Sequence, residues 1–210
     1  MISTSDLTRG PIREEYIALA VPLLMGNILQ QLYNTVDAVI VGRFVGQAAF
    51  AAVGVAGSVM NLFLFLISGS CVGIGTLMSQ LHGAEDEDGF RRDFFLSSVF
   101  GGGLTIILTV LGLAVLDPLL GILQTPEEVL GYAAEYLRVI YLGFIAAFAY
   151  HLCSAVLRAV GNTQAALAFL SISMAANLML DVVFVAVFRW GVEGAAWATI
   201  TAQGLAAVLC

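Results

Sequence analysis

Two acids sit where acids are costly. Asp37 and Asp181 fall inside apolar runs, away from the tails and loops that hold most of the 15 carboxylates. An acid at the centre of a membrane helix costs about 2.5–3.5 kcal/mol on insertion scales, so each needs a compensating reason. The polar residues near them are spaced like helix faces. Asn27, Gln30, Asn34 and Asp37 recur at helical intervals, as do Ser173, Asn177 and Asp181, so each set shares one face. A face turned to lipid would not carry such a stripe; both faces look into a hydrated interior. At about 1.5 Å per residue, Asp37 lies about 6 Å inside the outer end of its run, Asp181 about 10 Å, and Thr199 in the last run about 6 Å. Two carboxylates, the Asn177 amide and the Thr199 hydroxyl therefore fall at similar depth.

The chemistry of such a cluster is cation exchange. A carboxyl withdrawn from water beside a second carboxyl takes up a proton readily. The same oxygens at Asp37 and Asp181 suit Na⁺, a hard cation served by oxygen ligands. Either ion neutralises charge that is costly in lipid, so binding can favour one helix packing over another. Pro22 lies on the helix of Asp37. A proline there removes a backbone hydrogen bond and bends the helix, which makes Pro22 a candidate hinge as well as a candidate fixed kink.

The elements that must hold these residues are membrane helices. The chain is 60% hydrophobic and 11% charged, with mean hydropathy +0.97. A soluble domain is about 45–50% apolar and about 25% charged. Apolar runs over 16–41, 48–81, 94–116, 132–159, 165–188 and 195–210 predict six spans, and in lipid a self-satisfied backbone makes them helices. The expected class is an all-α membrane protein: a short segment 1–15, then a six-helix bundle over 16–210. The last run covers only about 24 Å, short of a hydrocarbon core of about 30 Å, and reads as a truncated helix. Arg9, Arg13, Arg91, Arg92 and Arg158 outnumber Arg43, Arg138 and Arg189 on the opposite side, which predicts a cytoplasmic N-terminus. A multi-pass protein of the cell inner (plasma) membrane follows. The N-terminus lacks the pattern of a cleaved signal. A net charge of −7 with no basic patch excludes nucleic acid as a partner. Cys71, Cys153 and Cys210 lie in apolar runs without metal-ligand spacing and read as buried small residues.

The ordered strings Ala20-Val21-Pro22-Leu23-Leu24, Gln30 to Asp37, Val41 to Gly46, His82-Gly83-Ala84, Leu157 to Thr163, Asn177 to Asp181 and Gly194 to Thr199 resemble the multidrug and toxic compound extrusion (MATE) family. The match runs from about Arg13 to Cys210, and the ordered set is specific where any one string is weak. The resemblance implies twelve helices in two six-helix lobes, of which this chain is the first, and exchange of H⁺ or Na⁺ for amphipathic, often cationic, drugs. It carries a first-lobe cation site onto Asp37, Asn177, Asp181 and Thr199, and sets Gln30, Tyr33 and Asn34 on the substrate cleft. No cofactor beyond the coupling ion is implied. The partners are small-molecule drugs, the bilayer and the missing C-terminal lobe.

Other signals read as structure. Gly73-Ile74-Gly75 and Gly101-Gly102-Gly103 lack the strand and the Lys-Ser/Thr of a phosphate loop and read as helix-packing sites. His151 reads as packing, the charged stretch 85–93 as a solvated loop, Asn162 as a helix N-cap, and Glu135 with Arg138 as an interfacial ion pair. Two other functions compete. A lipid-linked oligosaccharide flippase of related fold calls for cavity cations, and no span carries one in its middle. An intramembrane aspartyl protease would use the paired acids, but Asp181 follows Leu178-Met179-Leu180 where such proteases carry Gly-x-Gly. The chain is therefore read as a transporter half and not as an enzyme.

Overall fold

The computed structural model describes residues 12–210, with some side chains before residue 24 left out, Pro22 among them. Every regular element is helical: α1 Ile12–Phe44, α2 Gln47–Gly83, α3 Glu87–Ile122, α4 Glu127–Leu142, α5 Phe144–Ala159, α6 Thr163–Asp181 continued by a π-helical segment Val182–Val187, and α7 Gly191–Leu209. The apolar runs become helices because no other open backbone can satisfy itself in lipid. α2, α3 and the combined stretch Thr163–Val187 are each long and apolar enough to cross a membrane, and the bent pair α4–α5 makes a fourth candidate. The polar helices α1 and α7 pack against α6, and α1 also packs against α2. The segment 1–11 lies outside the described residues.

The connections are short, and all but the α4–α5 joint at Gly143 contain a residue with positive φ: Gly46, Glu85, Gln124, Gly161 and Arg189. Two helix starts carry a side-chain cap, of which the one at Asn162 was expected. Asp86 Oδ1 accepts from the Gly89 N–H at 2.9 Å, and Asn162 Oδ1 from the Ala165 N–H at 3.1 Å. The charged stretch 85–93 carries only exposed or local ion pairs, such as Arg91–Glu87 at 3.9 Å.

The fourth run departs from expectation. It is not one straight helix but two, bent by 52° about Gly143, which together can make one broken span. A Cβ at Gly143 would overlap the Ile200 side chain of α7, so only glycine lets the bend sit against that helix. The bend loosens carbonyls from the helical ladder, and the Thr109 hydroxyl of α3 donates to the Tyr141 carbonyl at 3.1 Å. Beside the bend, within the apolar core, Phe63, Tyr141 and Phe144 meet with ring centroids 5.1–6.0 Å apart.

The glycine motifs divide. A Cβ at Gly101 would overlap Phe148, and one at Gly75 would press on Ala155 at 3.2 Å, whereas Gly73 and Gly103 face open space. The expected Glu135–Arg138 pair is replaced: Arg138 reaches across to Asp117 at the end of α3, at 3.7 Å, with both side chains exposed. A neighbour across the helix interface competed with the partner on its own helix and won.

Candidate functional site

The polar residues of three helices converge. α1 brings Tyr33 and Asp37, α6 brings Ser173, Asn177 and Asp181, and α7 brings Thr199. Asp37, Asn177, Asp181 and Thr199 are all buried, with Asp181 only 1% exposed. α1 packs against α6, with Leu170 and Leu167 of α6 beside Gly26 of α1. Ser173 joins α6 to α7 by donating to the Ala202 carbonyl at 3.0 Å.

Thr199 is the hub. Its hydroxyl donates to the Ala195 carbonyl one turn back, at 3.0 Å. With its proton so used, its oxygen accepts from the Tyr33 hydroxyl at 3.1 Å and from the Asn177 amide nitrogen at 3.3 Å. One donor and two acceptor positions are then filled, which is the full capacity of a hydroxyl. The arrangement also fixes the Asn177 amide: its NH₂ faces Thr199, and its oxygen is turned away.

The oxygens around that hub are unpaired. Asp37 Oδ1, Asn177 Oδ1 and both carboxylate oxygens of Asp181 are buried without a hydrogen-bond partner. Asp37 and Asp181 are near enough to interact electrostatically, with no hydrogen bond between them. Ion pairs among the described residues involve neither acid. Buried acceptors in native proteins are nearly always paired, so four unpaired oxygens in one place stand out among the described residues. A proton or a small hard cation fits the donor set, because every free atom is an oxygen and two of the groups are acids. The described residues hold no cluster of three or more His, Cys, Asp or Glu side chains suited to a metal ion.

Not all the sequence-predicted residues behave alike. Gln30 and Tyr33 line a small cavity of about 30 Å³ with Tyr150, Ser173, Asn177, Thr199 and Gln203. Asn34 and Asn27 are exposed on the surface of α1 and do not line it. The Pro22 side chain lies outside the described residues. Tyr136 was missed: it is 3% exposed on α4, a helix that packs against α7. Its only sequence signal was a polar tip in an apolar run; its helix lies far from the others in sequence.

Residues 22–183 match the family model described as MatE. The chain belongs to the MatE family. Among curated relatives, the probable multidrug resistance protein YpnP of Bacillus subtilis is 31% identical over 96% of this chain and 45% of that protein. The multidrug export protein MepA of Staphylococcus aureus is 25% identical over 95% of this chain and 44% of its own length. A solved structure of a multidrug resistance MATE family transporter in an outward-facing conformation superposes with TM-score 0.90 at 26% identity, covering 99% of this chain and 46% of that one. The chain spans about half the length of the curated relatives it matches. Its helices thus have the arrangement of half a MatE transporter, a multi-pass membrane protein, and the reading as a protease falls with that membership.

Proposed function

We propose that this chain is the N-terminal lobe of a secondary antiporter that exports amphipathic, often cationic, compounds in exchange for H⁺ or Na⁺. The supporting observation is the group of buried, unpaired acceptor oxygens on Asp37, Asn177 and Asp181, drawn from separate helices. Two carboxylates this close repel in surroundings of low dielectric, and a cation between them reverses the sign of the interaction. Binding therefore draws α1 toward α6, and release lets them part. A first lobe that changes shape with its ion can rock against a second lobe and alternate access.

Within the cluster, the Asp37 and Asp181 carboxylates and the Asn177 amide oxygen take the ion. Thr199, with its bonding capacity filled, aims Asn177 and holds Tyr33. Gln30, Tyr33 and Asn34 serve the substrate side, Asn34 from the exposed face where a second lobe would stand. Pro22 lies on the helix that must bend. The bundle over 16–210 sits in the plasma membrane with segment 1–15 in the cytoplasm, as the arginine distribution favours.

The test is drug efflux from vesicles of the full-length protein under imposed pH or Na⁺ gradients, with Asp37→Asn and Asp181→Asn alongside. Gradient-driven efflux falls more than tenfold in each variant. If both pump like the parent, the coupling site is wrong.

A further inference from the structure

Two sets of contacts tie α6 and its π-helical continuation to α7, and Asp181 lies between them. On one side, Ser173 donates to the Ala202 carbonyl at 3.0 Å, and the Asn177 amide donates to Thr199 at 3.3 Å. On the other, α7 comes so close that a Cβ at Gly194 would stand 3.1–3.2 Å from the Phe184 backbone and Cβ. The Trp190 N–H donates to the Phe184 carbonyl at 2.9 Å and pins the same place. Over Val182–Val187 the helix is π-helical, and the Phe188 N–H donates to the Val183 carbonyl, five residues back, at 2.8 Å. A π turn holds one residue more than the α turn it replaces. The side chains record the surplus. On a regular α-helix, Val185 and Phe188 would follow Asp181 by about one and two turns and share its buried face. Val185 is 2% exposed, but Phe188 is 55% exposed and packs on Phe184 and Trp190 instead. Asp181 stands at the joint of the two helix types, and neither of its carboxylate oxygens has a partner.

We propose that the π-helical segment is a register switch for Asp181, turning its carboxylate into and out of the polar cluster while Asn177 and Trp190 keep their places. The surplus residue need not stay where it is. A π turn that moves back by one turn rotates the residues it passes by about 100° and shifts them about 1.5 Å along the axis. Asp181 is the next polar residue in its path, and no hydrogen bond of its side chain has to break. Ion occupancy sets the direction. A cation holds the two acids together, whereas without one Asp37 and Asp181 repel, and the register that carries Asp181 away is favoured. This direction rests on the proposed antiport.

The experiment follows backbone hydrogen exchange by mass in the full-length protein in lipid nanodiscs, over peptides spanning 178–188. The parent is compared in Na⁺ and in choline, and with Asp181→Asn, whose side chain is permanently neutral. Exchange over 178–188 is expected to slow several-fold on neutralisation in at least one comparison, with 163–173 unchanged. Deletion of Val187, whose side chain is 65% exposed, removes the surplus residue and lets the helix run as α throughout. The deletion should keep the parent's thermal midpoint and lose more than tenfold in gradient-driven efflux. Slowing spread evenly over all of α6, or none over 178–188, overturns the switch whether or not the deletion folds. So does a deletion that pumps like the parent. Exchange needs no transport, so a failed coupling site, seen as normal efflux in Asp37→Asn, is distinguishable from a failed switch.

Discussion

The polar cluster of α1, α6 and α7 and the aromatic core of α2, α4 and α5 are both buried, yet they are built on opposite rules. In the core, Tyr141, Phe144 and Leu137 are at most 1% exposed, and shape decides everything: glycines at 101, 112 and 143 sit where a neighbouring side chain leaves no room for a Cβ. The loosened backbone at the bend is repaired by Thr109. In the cluster, burial is as deep but four acceptor oxygens stay unpaired. The core has one such atom as well, the Tyr141 hydroxyl, so the two regions differ in how many buried polar atoms they leave unpaired. The contrast separates residues that serve stability from residues that give some of it up for function.

The largest break in that contrast is Asp181→Asn. It removes one of two facing charges, so it should raise the thermal midpoint in a melting assay while gradient-driven efflux falls more than tenfold. Loss of both stability and transport would place Asp181 with the structural residues. Next comes Gly143→Leu, which drives a side chain into Ile200 and should cost about 1–3 kcal/mol in a denaturant titration. Ile200→Ala in the same chain should recover part of that loss, and no recovery would mean that the bend depends on something else. Thr109→Val leaves the Tyr141 carbonyl without its donor and should cost about 1 kcal/mol, with no change in ion dependence. Tyr33→Phe is the matching change in the cluster: it should leave stability nearly unaltered and weaken the ion dependence of efflux a few-fold. The smallest effect belongs to Arg138→Ala, an exposed pair with Asp117, at under about 0.5 kcal/mol.

The intervals among Asn27, Gln30, Asn34 and Asp37, and among Ser173, Asn177 and Asp181, were readable because a helix converts spacing into faces without help from the rest of the chain. Depth counting then put Thr199 level with the acids, and it does lie bonded to Asn177. The same reasoning missed Tyr136, since no local period says which face of α4 meets α7. It also gave no sign of the break between α4 and α5, where the side chain packed against Gly143 is Ile200, far away in sequence. Glu135 and Arg138 made a sound helical pair on paper, but Asp117 stood nearer in space. The π-helical segment after Asp181 left no mark in the sequence; it meets Gly194, which lets α7 approach the Phe184 backbone.

Composition and periodicity alone pointed to a chain that crosses a membrane as helices, two of them carrying polar stripes. Each is a property of a single helix in lipid, where the backbone bonds to itself and a misplaced charge is costly. The pairing of Asp37 with Asp181, the filling of Thr199 by Tyr33 and Asn177, and the bend at Gly143 were decided only in the packed bundle. They depend on which surfaces meet, and contact between helices is set by the shapes of both partners at once.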